Sequence, residues 1–290
     1  MDLRVLRYFL AVCQEKNISK AAESLHIAQP SLSKQIKDLE DELGVTLFIR
    51  GHRQITLTQE GYFLRDRAQE MVNMAAQTKQ IIQSSSLISG TLNIGAGQSY
   101  ALKSVMQIIN QLLQDRPNLH FNFYDGYADE IEAKVSDGSL DFGIIMGERP
   151  LDDFDSLVLP EKNQFYALFS KDLPLAKKDQ VTPKDLIDYP IITSAQSLVA
   201  TKFRNWWGNL YEKINNVANA SLSYNASLLT SQGNYVQISY NHLIDTQLEK
   251  LVARPLSPAI YDPNIVIWKK NTQRSNLANK FIEELEKLSV

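Results

Sequence analysis

Polar side chains that bond to nucleic-acid bases and phosphates are concentrated in one short segment of the chain. Gln29, Ser31, Ser33, Lys34 and Gln35 follow one another closely, and none of them is bulky enough to prevent close approach. Amide, hydroxyl and ammonium groups of this kind bond to base edges and to phosphate oxygens. We interpret the segment as a candidate DNA-contacting surface, although a solvated helix face without a partner has the same composition.

Three predicted helices position this segment. Apolar residues at spacings of three and four predict a first helix over 3–14. A second, short helix over 17–25 begins with capping side chains, and a third over 29–43 has Pro30 near its start, where the missing N–H costs least. Two helices joined by such a short turn are typical of a helix-turn-helix.

A β-hairpin, or wing, is predicted to follow the third helix. Two short β-prone runs, 46–50 and 54–58, flank Gly51-His52-Arg53. At the hairpin tip, Arg50 and Arg53 are placed to reach phosphate or a minor groove, whose negative potential favours a guanidinium group. The complete set of candidate DNA-contacting residues is Ser19, Gln29, Pro30, Ser31, Ser33, Lys34, Gln35, Lys37, Arg50 and Arg53.

The residues from Ala21 to Gly61 form a specific pattern. They follow A-A-x-x-L-x-x-x-Q-P-S-L-S-x-Q-I-x-x-L-E-x-x-L-G-x-x-L-F-x-R and then L-T-x-x-G. This pattern resembles the LysR-type transcriptional regulators. The resemblance implies a winged helix-turn-helix that binds promoter DNA, a C-terminal effector domain and assembly as a dimer of dimers.

A long linker helix is predicted from residue 59, because no proline interrupts residues 59–86. At about 1.5 Å per residue it would extend roughly 40 Å. Apolar and small residues spaced four and three apart form a seam, and we expect a second copy of the chain to cover it, since a three-helix core is too small to do so. The alternative is that the seam packs on the chain's own C-terminal domain. The candidate dimerisation residues are Leu64, Ala68, Met71, Ala75 and Ile82.

Homodimerisation also agrees with DNA binding. A two-fold symmetric protein meets a pseudo-palindromic site with two recognition helices in successive major grooves. Double-stranded DNA and a second copy of the chain are therefore the expected macromolecular partners.

Strands and helices alternate after a serine-rich hinge at 84–90, which predicts a mostly parallel sheet with helices on both faces. The segments S-D-G-S-L-D-F-G-I-I at 136–145 and L-P-L-A at 173–176 resemble the two-lobed, periplasmic-binding-protein-like sensor of the same family. The expected fold is therefore an α+β two-domain protein. Its predicted parts are a winged helix-turn-helix over 1–58, a linker helix and hinge over 59–89, and an effector domain over 90–290, with lobe I at 90–160 and 265–290 and lobe II at 161–264.

Ligands of open α/β sheets lie beyond the carboxyl ends of the strands, often at helix N-termini that favour an anion. We therefore expect a small anionic effector, as the resemblance also implies, although plain helix capping would explain the same hydroxyl residues. Bulk at Asn234 and Tyr235, where relatives often have glycine, is expected to narrow the cleft. The candidate effector-binding residues are Gly97, Gln98, Ser99, Asp125, Gly147, Thr193 and Ser194.

The remaining composition argues against other classes of protein. The formal net charge is -3, no long apolar run occurs, and we expect a cytoplasmic protein without a membrane partner. The single cysteine, Cys13, allows no internal disulfide and is interpreted as a small core residue. The histidines lack metal-ligand spacing, no G-x-S-x-G or P-loop occurs, and Gly95-x-Gly97 lacks the third glycine of a dinucleotide fingerprint, so we expect no metal, no cofactor and no enzymatic activity.

Two other functions are compatible with parts of the chain. A solute-binding or enzymatic α/β protein with a helical dimerisation domain would use the cleft but not nucleic acid. An architectural protein would bind DNA but leave the two-lobed domain without a role.

Overall fold

The structure is a computed structural model that describes residues 1–50, 55–83, 88–194, 201–246 and 250–288. They form two units. The first comprises Met1–Leu87 with Ser136–Ser139, and the second comprises Ile88–Val135 with Leu140–Val290.

The N-terminal unit has the predicted winged helix-turn-helix architecture, followed by the long linker helix. Its elements are α1 (Leu3–Glu15), α2 (Ile18–Ser24), α3 (Gln29–Leu43), β1 (Phe48–Arg50), β2 (Ile55–Leu57) and α4 (Gln59–Gln83). Local signals set the helix ends: Asn17 caps α2 by accepting from the Lys20 N–H, and Gly44 adopts a left-handed conformation that ends α3.

The core of this unit includes the first turns of the linker helix. Leu6 and Phe9 of α1 pack with Leu32 of α3, and Leu64 and Ala68 of α4 join the same buried cluster. The prediction that Leu64 and Ala68 contact a second copy is therefore wrong. Apolar residues spaced four and three apart show that one face of α4 is apolar, but they do not show what covers it. Here α1 covers the beginning of that face.

The L-T-x-x-G part of the pattern joins α4 to the strand region. The Thr58 hydroxyl donates to the Thr46 carbonyl at 2.8 Å and accepts from the Gly61 N–H at 3.0 Å. A side chain at Gly61 would not fit, because its Cβ would lie 2.2 Å from the Leu47 carbonyl oxygen. Glu40 of α3 accepts from the Leu47 N–H at 2.7 Å, so a single hydrogen-bonded junction connects α3, the strands and α4.

The C-terminal unit is a mixed α/β structure. Its strands are β3 (Gly90–Ala96), β4 (Leu119–Asp125), β5 (Phe142–Met146), β6 (Phe154–Ser170), β7 (Ile191–Thr193), β8 (Asn216–Asn219), β9 (Val236–Tyr240), β10 (Leu251–Pro255) and β11 (Tyr261–Lys269). Its helices are α5 (Lys103–Asp115), α6 (Ala128–Ser136), α7 (Pro183–Leu186), α8 (Thr201–Trp207), α9 (Ser223–Thr230) and α10 (Asn276–Glu286). Short 3₁₀ turns lie at Tyr100–Leu102, Pro174–Lys177 and Gly208–Lys213.

Two long strands divide this unit into lobes. The strand order is β4-β3-β5-β11-β6-β9-β7-β8, with β10 pairing β6. Strands β6 and β11 run through both halves of the sheet. We call the half around β3, β4 and β5 lobe I and the half around β7, β8 and β9 lobe II. The two-lobed fold predicted from the sequence is confirmed.

The predicted parallel pairing is confirmed for β3, β4 and β5, the strands of the alternating segment from which it was predicted, but it does not extend to the whole sheet. Strand β3 pairs in parallel with β4 and β5, and β7 with β8 and β9, but β6, β10 and β11 form antiparallel pairs with their neighbours. The reason is topological, because strands that return between lobes run against the parallel strands beside them. Strands β8 and β10 were not predicted, since β8 is largely polar and β10 contains Pro255.

Each lobe has its own apolar core. In lobe I, Phe142 contacts Phe281 of α10 edge to face, with ring centroids 5.0 Å apart. In lobe II, Phe165 packs against Phe203 of α8 with centroids 4.8 Å apart. Separate cores leave the surface between the lobes free to form a cleft.

Candidate nucleic-acid interface and ligand cleft

The predicted DNA-contacting side chains lie on the outer face of α3 and the start of α2. Leu32, Ile36 and Leu39 are buried, which turns the polar residues between them away from the core. Ser19, Gln29, Pro30, Ser31, Lys34 and Lys37 are exposed, and Ser33 and Gln35 are half buried. In the described part of the chain, none of these side chains has a hydrogen-bond or ion-pair partner, so the face is available to a ligand.

The beginning of α3 is open to an anion. Ala28 is the N-cap residue and provides no side-chain hydrogen bond to the helix, and proline occupies the first turn. A helix start that the protein's own side chains do not cap attracts phosphate oxygen, through the helix dipole and a free N–H. The tip of the wing cannot be placed in the same way, because Arg53 and the Arg50 side chain lie outside the described residues; both stay predictions.

The second half of α4 presents an exposed apolar strip. Met71, Met74 and Ile82 are 39%, 63% and 68% exposed, and they line a shallow groove together with Ala75 and Thr78. Of the predicted dimerisation residues, Met71, Ala75 and Ile82 therefore remain accessible.

A cleft with a volume of about 1110 Å³ opens between the two lobes. The strand ends predicted from the sequence meet there. Of the predicted effector-binding residues, those that line it are Gly97, Gln98, Asp125, Gly147, Thr193 and Ser194.

Ser99 does not line the cleft. Its hydroxyl accepts from the Ala101 N–H at 3.0 Å and donates to the Asn163 side chain, which donates in turn to Asn264 at 2.7 Å. The prediction of Ser99 as an effector contact is corrected accordingly: it caps a 3₁₀ turn and is tied to the strands that cross between lobes.

The expected narrowing of the cleft by Asn234 and Tyr235 is also not found. Neither residue is among those that line it. Tyr235 lies against its own turn, where a Cβ on Gly233 would be 3.2 Å from the Tyr235 ring.

A hydrogen bond joins the two walls of the cleft. Gln98 of lobe I accepts from the Ser223 N–H at the start of α9 in lobe II, at 3.3 Å. The Ser223 hydroxyl lies 2.7 Å from that of Ser239, and Gln237 donates to the Ser223 carbonyl at 3.0 Å. Sequence analysis did not identify Ser223, Ser239 or Gln237, because their positions in separate elements give no local signal.

An ionic cluster lies at the base of the cleft. Asp262 of β11 is only 5% exposed; it pairs with Lys202 of α8 and accepts from the Tyr240 hydroxyl at 2.6 Å. Burial, reinforced by the Asp262 charge, raises the pKa of Tyr240 well above its usual value. Gly147 approaches closely with φ +90, and a Cβ there would lie 3.2 Å from Asp262 Oδ1. The available sequence signal was an aspartate only three residues before the apolar run Ile265–Trp268 of the same strand.

Two further findings concern metals and membranes. Over the described ranges, no group of three or more His, Cys, Asp and Glu side chains is arranged to hold a metal ion. Among the described helices, none combines the length and apolar composition needed to cross a bilayer.

Comparison with known proteins shows the class to which this fold belongs. Residues 3–62 match the model for the bacterial regulatory helix-turn-helix proteins of the lysR family, and residues 85–289 match the LysR substrate binding domain. The chain belongs to the LysR family.

Individual relatives are regulators. The chain is 40% identical over 127 residues to the HTH-type transcriptional regulator BsdA of Bacillus subtilis, covering 43% of each chain. It is 30% identical over 187 residues to a hydrogen peroxide-inducible genes activator of Pectobacterium carotovorum, covering 64% of this chain and 62% of the relative. The chain thus spans less than two thirds of each of these relatives. The solved structure of full-length CbnR with its target DNA shares the fold, with a TM-score of 0.74 at 18% identity over 99% of this chain and 100% of that chain.

Proposed function

We propose that this protein is a sequence-specific DNA-binding transcriptional regulator whose promoter binding is modulated by a small effector in the interlobe cleft. The observation that carries the proposal is the outer face of α3, where Gln29, Ser31 and Lys34 are exposed and unpaired in the described structure. Short polar side chains on a protruding helix are what major-groove recognition requires. The likeness in fold to CbnR, which was solved with its target DNA, supports this assignment.

The proposed assembly is a homodimer on a pseudo-palindromic site, with dimers pairing into a tetramer. The exposed apolar strip of Met71, Met74 and Ile82 supports a partner on α4, because contiguous exposed apolar surface marks an interaction site. Two-fold symmetry would then present two α3 helices to successive major grooves.

The proposed effect of the ligand is to change the relative position of the lobes. The Gln98–Ser223 hydrogen bond joins the walls in this state, and a ligand that binds the closed state more tightly shifts the population toward it. Altered packing between dimers would then change the spacing or bend imposed on promoter DNA. We propose a regulator without enzymatic activity, acting in the cytoplasm.

A thiol-based peroxide response is not part of this proposal, although one relative is named for hydrogen peroxide induction. Burial raises the pKa of Cys13 to about 12. The reactive thiolate is therefore scarce at neutral pH, and the sequence contains no second cysteine with which to form a disulfide.

DNA recognition is tested by selecting duplexes from a random pool with the full-length protein. We expect a pseudo-palindrome to be enriched and to bind about a thousandfold more tightly than shuffled duplex near physiological salt. Gln29→Ala should lower that ratio by about tenfold or more, since one bidentate base contact contributes about 1–3 kcal/mol. Gln14→Ala, an exposed glutamine on α1, is the matched control and should leave the ratio unchanged. Equal binding of selected and shuffled duplexes would contradict the proposal and favour a solute-binding protein.

A further inference from the structure

The lobe I wall of the cleft carries an excess of negative charge. Asp125 at the end of β4 and Glu148 after β5 are exposed, and so are Asp129 and Glu130 at the start of α6. Arg149 is the only Lys or Arg among the described lining residues of this wall. The wall is therefore net acidic.

The single cation of that wall is already neutralised. The Arg149 guanidinium pairs with Asp129 and, through Nε at 2.6 Å, with Glu132 Oε1. Asp125 and Glu148, in contrast, have no cationic partner in the described part of the chain. An incoming anion would have to compete with two internal carboxylates for Arg149.

The helix starts of lobe I are likewise occupied. Asp129 and Glu130 lie in the first turn of α6, where a bound anion would otherwise interact with the helix dipole. Ser99 caps the turn before α5 with its own hydroxyl. Capping explains the charges of Asp129 and Glu130, but it does not explain Asp125 and Glu148, which belong to no helix.

The lobe II side of the cleft differs from this wall. Its described lining residues carry one cation, Lys202, and one anion, Asp262 at the base, so this side has no net charge. Several other lining residues on this side carry hydroxyl groups, which can donate to a carboxylate. They are Thr193, Ser194, Thr201, Ser221, Ser223 and Ser239, whereas the Tyr240 hydroxyl already donates to Asp262.

Lys202 is held at the base of the cleft between the two kinds of surface. Its ammonium group pairs with the buried Asp262 and lies 5.2 Å from the centre of the Phe165 ring. The side chain remains 32% exposed toward solvent, whereas that of Asp262 is 7% exposed. Lys202 can therefore accept a second carboxylate from the cleft while remaining beside Asp262.

We propose that the cleft selects a small zwitterion, whose ammonium group binds at the lobe I carboxylates and whose carboxylate group binds at the lobe II hydroxyls and Lys202. The inference rests on the proposed function, in which this cleft holds the effector. A simple anion, which the sequence predicts, would meet the unpaired Asp125 and Glu148. A ligand with both charges interacts favourably with both walls and so also draws the lobes together.

Three five-carbon probes with different charged end groups test whether the full-length protein prefers a zwitterion, a dianion or a dication. They are 5-aminopentanoate, glutarate and 1,5-diaminopentane, each titrated calorimetrically, together with the twenty standard amino acids. We expect 5-aminopentanoate, or an amino acid with an uncharged side chain, to bind about tenfold or more tightly than glutarate. The proposal is overturned if glutarate or 1,5-diaminopentane binds as tightly as the best zwitterion, or if no zwitterion binds with a Kd below about 10 mM.

Charge-neutralising variants locate the two ends of the ligand. The double variant Asp125→Asn with Glu148→Gln should weaken the best zwitterion by about tenfold and strengthen glutarate. Asp153→Asn, at an exposed carboxylate that does not line the cleft, is the matched control and should change neither affinity. Asp262→Asn releases Lys202 and should also improve glutarate binding. A uniform loss for both probes in the double variant would show a structural role for these carboxylates and overturn the assignment.

The same titrations, combined with DNA-binding measurements, distinguish a failure of the zwitterion proposal from a failure of the proposed regulatory function. If glutarate is preferred and still changes DNA affinity, the zwitterion proposal fails while the regulator survives. If a zwitterion is preferred but leaves DNA affinity unchanged, the ligand class stands and the effector role fails.

Discussion

The α3 face and the interlobe cleft both present polar groups to solvent, yet they differ in how those groups are held. On α3, the side chains of Ser31 and Lys34 have no hydrogen-bond partner in the described structure and belong to a single helix. In the cleft, Lys202, Asp262 and Tyr240 come from three separate elements and bond to one another. The α3 face therefore leaves its polar groups free for a binding partner. In the cleft, a ligand must interact with side chains that are already bonded to one another.

This difference has an energetic consequence. Exposed, unpaired side chains contribute little to folding, so they can be exchanged at small cost to stability. A buried ion pair that loses one member leaves an uncompensated charge and is expensive to break. Substitutions on α3 should therefore change DNA binding with little effect on stability. Substitutions in the ion pair of the cleft should lower stability.

The largest effect is expected in the cleft. Lys202→Met leaves the buried Asp262 carboxylate without its cation and should cost about 3 kcal/mol of unfolding free energy. All three tryptophans lie in the C-terminal unit, so tryptophan fluorescence in urea measures this unit selectively. The double variant Lys202→Met with Asp262→Asn removes the orphaned charge and should recover much of the loss. No loss in the single variant would show that the pair is solvated.

A smaller, steric effect is expected in the N-terminal unit. Gly61→Ala brings a methyl group against the Leu47 carbonyl and should cost about 1–3 kcal/mol through overpacking. The loss should appear in the helical circular-dichroism transition and leave the tryptophan transition unchanged. Gly44→Ala is the comparison, since φ is +69 but no atom lies within 4 Å of the added Cβ, so only backbone strain of about 1 kcal/mol is expected. Equal costs would mean that the close approach at Gly61 relaxes.

On α3 the expected effect is on binding alone. Lys34→Ala should change stability by less than about 0.5 kcal/mol, while reducing the salt dependence of DNA binding by about one phosphate contact. Anisotropy titrations over a range of salt concentrations measure the slope. Lys171→Ala, which removes the same charge from an exposed site in the other unit, should leave the slope unchanged. A loss at one base pair only would instead assign Lys34 to base recognition.

The smallest functional effect is expected at Cys13. With its pKa raised to about 12, the thiol should react with an aromatic disulfide reagent at pH 8 about a hundredfold or more slowly than in urea. Peroxide treatment should leave DNA affinity unchanged. Rapid labelling of the folded protein would contradict the burial of this thiol.

The helices and the α3 face were predictable because their signals are local. Asn17 and Gly44 mark ends within a turn of the helices they terminate, and the apolar period identifies the buried side of α3. The pattern could not identify what covers an apolar seam, which is why Leu64 and Ala68 were assigned to a second copy. The same limitation affected Ser99, whose capping and ligand-binding roles require the same type of residue.

The cleft chemistry was not predictable in detail. Lys202 and Asp262 are separated by 60 positions and Ser99 and Asn163 by 64, so no periodicity connects them. The ends of the strands could be listed from the sequence, but their charge balance depends on which side chains the sheet brings into contact.

For this protein, the order of residues by itself determined the winged helix-turn-helix, the linker helix and the alternating strands and helices, because interactions within a few residues set helix ends, strands and turns. The two-lobed plan was implied by the family resemblance. Only the tertiary structure decided which α4 residues remain exposed, that Gly61 must lie against Leu47, and that the cations of the cleft are already paired. Those features arise where distant segments meet, and their energies depend on distance and burial rather than on position along the chain.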